Sequence, residues 1–227
     1  MSVGNVSGAQ LYDALYQVGY HNGTQHHAGM LLQALSKMKS GFGCESSCSM
    51  LDVGCSHGGA VRALWKLNWL ANGVDVSQYA ILAANREMAA LEAKKPGRVR
   101  CSVQPCFQTS GAGQLPFASA SFDFALSSDV LEHVEEEGVP RAVAEVARVV
   151  RRMAFLKISN RAEGGSKELN ALKAGADRGR MPKQLHAVIR GPSFWLDQFE
   201  AAGLLVHHML EHEDQVYATR RPGHPVL

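Results

Sequence analysis

The chain has no apolar run near the ~18 residues needed to cross a bilayer as a helix, so a membrane span is not expected. Its first ten residues lack the basic start and apolar stretch of a secretory signal. Neither sign of charge dominates: 23 Lys and Arg stand against 21 Asp and Glu, a net of +2. That balance removes a broad electrostatic case for nucleic acid or an anionic membrane surface. Cysteine is sparse. Five cysteines, at 44, 48, 55, 101 and 106, give an odd count without a second CxxC-type pair. A disulfide framework and a zinc site are therefore not expected, and the thiols read as reduced, buried or incidental in an intracellular, cytoplasmic protein. No internal repeat or low-complexity tract interrupts the 227 residues. An apolar share of 46% with 19% charged residues excludes disorder, collagen and coiled coil for the whole chain. This length allows one large domain or two small ones, with a core that needs no disulfide or metal.

The first 40 residues read as helical, with Leu11, Leu15, Leu31, Leu32, Leu35 and Met38 at helical spacing and a break at residues 19–23. Residues 41–48 look like a loop. Strands are then predicted at 50–53, 70–76, 99–103, 122–126 and 153–158. Between them lie a helix to about Leu67, a helix capped by Ser77 and running to about Lys94, and a helix after Pro140. Residues 159–191 show no clean period. A helix from Pro192 to Ala202, closed by Gly203, precedes a terminal strand pair at 204–210 and 215–219. Alternating strands and helices imply a doubly wound α/β fold with a mostly parallel sheet and one closing antiparallel hairpin.

The first strand ends in Asp52-Val53-Gly54-Cys55-Ser56-His57-Gly58-Gly59. Small residues here let backbone approach a ligand, and the next helix offers unpaired N–H groups. The turn fits GxGxxG and DxGxGxG equally, with Ser56 at the middle glycine in both. Asp75 follows 23 residues after Asp52, at the end of the second strand, where a carboxylate can accept the hydroxyl hydrogens of an adenosine ribose. A dinucleotide and an S-adenosylmethionine (SAM) ligand both use such an acid. Asp52 separates them: a carboxylate before the first glycine repels a pyrophosphate but suits an ammonium and a sulfonium.

Residues 114–134 read Gln-Leu-Pro-Phe-Ala-Ser-Ala-Ser-Phe-Asp-Phe-Ala-Leu-Ser-Ser-Asp-Val-Leu-Glu-His-Val. With the two preceding motifs, this block resembles the class I SAM-dependent methyltransferases, in particular the small enzymes of the ubiquinone/menaquinone-biosynthesis type. The resemblance covers residues 48–160 well and 186–219 loosely. It implies a Rossmann-like seven-stranded sheet in the order 3-2-1-4-5-7-6, with the last strand antiparallel. It also implies a single methyltransferase domain made of an N-terminal helical extension (1–47), a SAM-binding core (48–160), a cap or insertion (160–190) and a C-terminal helix and strand pair (191–227).

The resemblance further implies that Asp52, Gly54, Ser56 and Gly58 line the methionine and ribose portion of SAM. Asp75 would hold the ribose hydroxyls and Val76 would pack on the adenine edge. Ser127 and Ser128 would sit near the methionine end. The family usually has an Asp four residues before the Leu of Leu-Pro-Phe; here that position is Gly111, so backbone groups of Gly111 and Ala112, or nearby Gln114, are the expected substitutes.

Methyl transfer from a sulfonium is an in-line displacement, for which alignment is the main requirement and a general base is needed only for a weakly acidic acceptor. Asp129, His133 and His186 are the candidates for that base, each with an ordinary structural alternative: a helix cap, a packed histidine and a surface histidine. No metal is expected, because Asp129 and Asn160 alone do not make an oxygen ligand set near the fourth and fifth strands. Residues 160–190 hold seven basic and three acidic residues, a net of +4. They read either as a solvated loop or as a basic lid, with His186 pointing inward, over an anionic acceptor. Tyr12, Tyr16, Tyr20 and His21 could form the pocket's other wall or plain core. The expected activity is methyl transfer from SAM to a small-molecule acceptor, an anionic one included, leaving S-adenosylhomocysteine. The alternatives are an RNA or protein acceptor, a SAM-binding scaffold or activator subunit, and an NAD(P) oxidoreductase.

Overall fold

The computed structural model describes residues 7–20, 48–162, 166–175, 181–211 and 214–220, with side chains only as far as residue 206. Five parallel strands form its centre: β1 (Ser49–Val53), β2 (Leu70–Asp75), β3 (Phe107–Thr109), β4 (Phe122–Ser128) and β5 (Val150–Ser159). They lie in the order β3-β2-β1-β4-β5. The helices are α1 (Gly8–Gln17), α2 (Gly59–Lys66), α3 (Gln78–Lys94), α4 (Val139–Val149), α5 (Lys167–Ala174) and α6 (Pro192–Ala201). No helix among the described residues is long and apolar enough to cross a membrane.

Both faces of the sheet are covered, which is why its strands read as continuous apolar runs rather than alternating ones. Side chains on a strand point to opposite faces in turn. Leu51, Val53 and Ala125 accordingly join α4 and the α6 residues Trp195 and Phe199 in one core. Met50, Phe124 and Leu126 join α2, Ile81 and Ala84 of α3, and Phe107 in the other. A register shift between Phe122 and Phe124 re-aims Phe122, so it packs with the α4 side although it is two residues from Phe124. The chain winds outward from β1 through β2 to β3, then returns to place β4 on β1's other flank. A crevice for ligands opens at the carboxyl ends of strands where the winding reverses in this way.

A third cluster lies outside this frame. Leu11 and Leu15 of α1 bury against Leu169 of α5 and Leu185. Helix α1 begins with a capping box in which Ser7 and Gln10 satisfy each other's backbone. It is tied to α3 by Asp13, which accepts from the Ser77 hydroxyl (2.5 Å) and the Tyr79 N–H (2.9 Å).

Several sequence expectations need correction. The third strand is Phe107–Thr109, not residues 99–103. The earlier segment is held as a loop by the fully buried Asn72 of β2. Its amide donates to the Val103 carbonyl (2.6 Å), and its oxygen accepts from the Ser102 N–H (3.0 Å). The Val-Leu-Glu-His-Val word holds a 3-10 turn, Leu131–His133. The aperiodic stretch 159–191 contains α5, capped by Ser166, whose sole fully buried residue, Leu169, is too little to make a visible period. Cys101 and Cys106 are joined in a disulfide, with their Cα atoms 5.5 Å apart. Cys48 is disulfide-bonded as well. Cys55 is the free thiol among the described residues. The reduced-thiol expectation fails, and the cytoplasmic setting inferred from it loses that support. The helical reading of residues 21–40, the loop at 41–47, and Cys44 and His21 lie outside the described residues.

Candidate functional site

A cavity of about 500 Å³ opens at the carboxyl ends of β1, β2 and β4, and α1 forms its far wall. The turn after β1 shapes its floor. The N–H groups of Gly54 and Cys55 both donate to the Val74 carbonyl, at 2.8 and 2.9 Å. Gly54 sits at φ +80°, and a Cβ there would lie 2.2 Å from Val130 Cγ2, so only glycine fits this close approach. Ser56 also has positive φ, 50°, and its N–H donates to Asp75 Oδ2 (2.8 Å). The turn and the acid that follow one another in sequence are thus bonded to each other. Asp75 Oδ1 accepts from the Ser77 N–H (2.9 Å), and the Tyr16 hydroxyl reaches Oδ2 at 3.4 Å.

Electrostatics mark the two acids. Asp52 is 5% exposed. Burial, then the charge of Asp75, pushes its carboxyl up to about 7. Burial also raises Asp75, against the lowering effect of its three hydrogen bonds. Burial and the same carboxylate raise the Cys55 thiol well above its ordinary value, so it stays protonated and unreactive.

Most sequence-named residues meet in this cavity. Asp52, Gly54, Ser56, Asp75, Val76, Gly111, Ala112, Ser128, Asp129 and His133 all line it. Gly58, Ser127 and His186 do not. Gly58 is the N-cap of α2 and faces the ring of Phe107. Ser127 is turned away by the strand's alternation and is 1% exposed. His186 is buried behind His133, ring centroids 4.7 Å apart and nearly perpendicular. The tyrosines singled out as a possible wall, Tyr12, Tyr16 and Tyr20, line the cavity too, with ring centroids 6.0–6.4 Å apart. Asp129 has φ 56° and is ion-paired with the Lys157 ammonium.

Sequence reasoning missed His57, whose ring lies against Tyr16 at 5.6 Å, and Glu132. Glu132 sits inside the quoted Val-Leu-Glu-His-Val word, but its role depends on burial that the word does not show. It has no exposed surface. Burial, with the nearby charge of Asp129, pushes its carboxyl up to about 8. Burial and His186 push His133 down to about 4, so its imidazole is neutral at pH 7.

Residues 51–158 match the family model described as a methyltransferase domain. That match takes in just under half of the chain and likens it to a methyltransferase domain. A curated O-methyltransferase of Pyrenophora dematioidea is 29% identical to this chain over 132 residues, 58% of the chain and 44% of the relative. The chain therefore spans under half the length of that relative. Among solved structures, magnesium protoporphyrin IX methyltransferase from Synechocystis, with bound SAM, is similar at a TM-score of 0.62 and 17% identity. That likeness covers 96% of this chain and 86% of the other. A SAM-dependent methyltransferase from Aquifex aeolicus is similar at 0.58 and 15% identity, covering 91% and 97%. At these identities the structural likeness establishes the methyltransferase fold and leaves the acceptor open.

Proposed function

We propose that the protein transfers the methyl group of SAM to a small-molecule acceptor. The observation that carries this reading is the charge of the cavity. Asp52, Asp75, Asp129 and Glu135 line it, and among the described residues no Lys or Arg does. Such a lining disfavours the pyrophosphate of NAD(P) and suits an ammonium and a sulfonium. A cation beside Asp52 also offsets the burial, and then the Asp75 charge, that hold its proton on.

The residues present fit SAM. Asp75 Oδ1 has one donor, so it keeps an acceptor position for a ribose hydroxyl. Gly111 has open space where a Cβ would stand, which leaves its backbone accessible to an adenine edge with Val76 and Ala112. Asp52 would face the amino-acid end, with Gly54, Ser56 and Ser128 around it. When bound, SAM supplies an activated methyl on a sulfonium leaving group. The chain's own part is to orient both reactants and to exclude water, the latter through the tyrosine wall of α1. Of the three candidate bases, Asp129 is held by Lys157 and His186 lies behind the wall. That leaves His133, which lines the cavity, as the candidate base.

The domain reading follows the same lines. Residues 48–160 form the core of a single domain, with 1–47 and 160–190 contributing α1 and α5 to a cap. The seven-stranded sheet belongs to this reading. It is supported by backbone pairing of β6 (Leu205–Glu211) with β7 (Asp214–Arg220), and of β7 antiparallel to β5 with Leu156 opposite Tyr217. A basic lid over an anionic acceptor finds less support. Arg190 is paired with Glu136 (2.6 Å), Lys173 donates to the Lys183 carbonyl (2.6 Å), and Arg178 and Arg180 lie outside the described residues. The cavity favours a neutral or cationic acceptor.

Incubation with methyl-labelled SAM and fractionated cell extract tests the proposal. Label on a small molecule supports it; label on RNA or protein overturns the acceptor class. Tight SAM binding with no transfer to any fraction favours the scaffold reading.

A further inference from the structure

Glu132, His133 and His186 each offer a ligand atom, and the three atoms lie within 4.8 Å of one another. Two of the residues are neighbours on the turn after β4. The third comes from 53 positions later, on a segment clamped to that turn by the Val188 N–H donating to the Glu132 carbonyl (3.0 Å). Each side chain is oriented by its other end. His133 Nδ1 faces the Leu185 carbonyl (3.1 Å) and His186 Nδ1 faces the Arg161 carbonyl (2.7 Å). A carbonyl only accepts, so both Nδ1 atoms carry the hydrogen and both Nε2 atoms keep a lone pair. Glu132 Oε1 accepts from the Ser159 N–H (2.7 Å), while Oε2 is buried with no partner. A fully buried carboxyl oxygen without a partner is costly, and a proton or a cation on it offsets that cost.

We propose that Glu132 Oε2, His133 Nε2 and His186 Nε2 bind one divalent transition-metal ion of the zinc or cobalt kind. Two imidazoles and a carboxylate suit these borderline ions better than magnesium or calcium, which take oxygen sets. The Nδ1–carbonyl bonds are the outer contacts that fix ligating histidines in the required tautomer. Three protein ligands leave a fourth position open. His133 lines the SAM-sized cavity, so the open position is on the acceptor's side.

Resting on the methyl-transfer reading, the acceptor is then a hydroxyl compound whose oxygen takes that position. Its O–H proton leaves to water, an oxygen lone pair forms the new O–CH3 bond, and the C–S pair returns to sulfur. No oxidant or reductant enters the balance. His133 in this case serves as a ligand rather than as a base.

Tag-free full-length protein, stripped by dialysis against a chelator, is titrated with Co2+ and followed by visible absorption. One equivalent producing the intense d–d bands of four- or five-coordinate cobalt is expected. Glu132→Gln and His186→Asn should each weaken the affinity by at least about 10-fold, with folding checked by circular dichroism. Absence of the bands in the wild type, or bands unchanged in a folded His133→Asn/His186→Asn protein, would overturn the site; the wild-type titration decides alone if the variants do not fold. Calorimetry with SAM on the same samples separates the two readings. SAM bound without cobalt overturns the metal site and leaves methyl transfer standing. Cobalt bound without SAM keeps the site and removes the reaction assigned to it.

Discussion

The Tyr16 hydroxyl on α1 donates to Asp75 Oδ2 at 3.4 Å, across 59 positions of sequence. The N-terminal helix thereby touches the carboxylate that closes the turn after β1, from inside the cavity. Helix α1 is a wall of the site as well as part of the fold.

That contact is to Oδ2 and leaves Oδ1, the oxygen proposed for a ribose hydroxyl, open to accept. Replacing the donor should therefore not harm ligand binding. Tyr16→Phe is expected to leave SAM affinity within about threefold of wild type or tighter, and to cost about 1 kcal/mol of stability, since the bond is long. Calorimetry and a denaturant titration measure the two. A loss of tenfold or more in affinity would show that the hydroxyl contacts the ligand itself.

Asp52 gives a pH signature. The unfolded chain holds that carboxyl near 3.8, whereas the folded, ligand-free protein holds it at about 7. The folded state keeps a proton that the unfolded state has released. Asp52 therefore makes the ligand-free protein lose stability as pH rises from about 4 to 7. A cationic ligand needs the ionised form. SAM affinity should fall about tenfold for each unit of pH below 7 and be flat above it. Asp52→Asn should abolish that slope; an unchanged slope in the variant would assign it to another group.

The glycines of the site differ in what they tolerate. Gly54→Ala places a Cβ 2.2 Å from Val130 Cγ2 at a φ of +80°. A loss of about 2–4 kcal/mol is expected from strain and overpacking. Gly111→Ala meets nothing within 4 Å at ordinary φ and should fold with stability within about 0.5 kcal/mol of wild type. Thermal melts of the two variants give the comparison; equal melting points would contradict the close approach at Gly54.

Leu169 joins the cap to itself. It is a fully buried residue of α5 packed with Leu11 and Leu15 of α1. Leu169→Ala should cost about 2–5 kcal/mol locally. Amide exchange should then speed up across α1 while β1 and β4 remain protected. Exchange unchanged in α1 would show that the cap does not depend on this cluster.

Much of this was legible in the sequence because it is local. The turn at 54–59, the Ser77 cap and the acid at 75 are short-range chemistry, and buried parallel strands show themselves as apolar runs. What stayed hidden depends on distant partners. Val99 to Val103 has strand composition, but Asn72 takes its backbone groups and leaves Phe107–Thr109 to pair with β2. Helix α5 buries only Leu169, and against α1 rather than the main core, so no period marks it. Ser127 and Ser128 are equivalent as letters, yet the strand's pleat gives only Ser128 to the cavity. Glu132 gains its character from complete burial, and His186 from a partner 53 positions earlier.

The central claim is that SAM is held at the end of β1 and β2 by Asp75. Isothermal calorimetry of SAM and of S-adenosylhomocysteine against wild type and Asp75→Ala tests it most directly. Loss of charge-assisted hydrogen bonds worth about 1.5–3 kcal/mol should weaken both ligands about 10- to 100-fold in a folded variant. Equal affinity in the two proteins, or no binding to the wild type, would contradict the account.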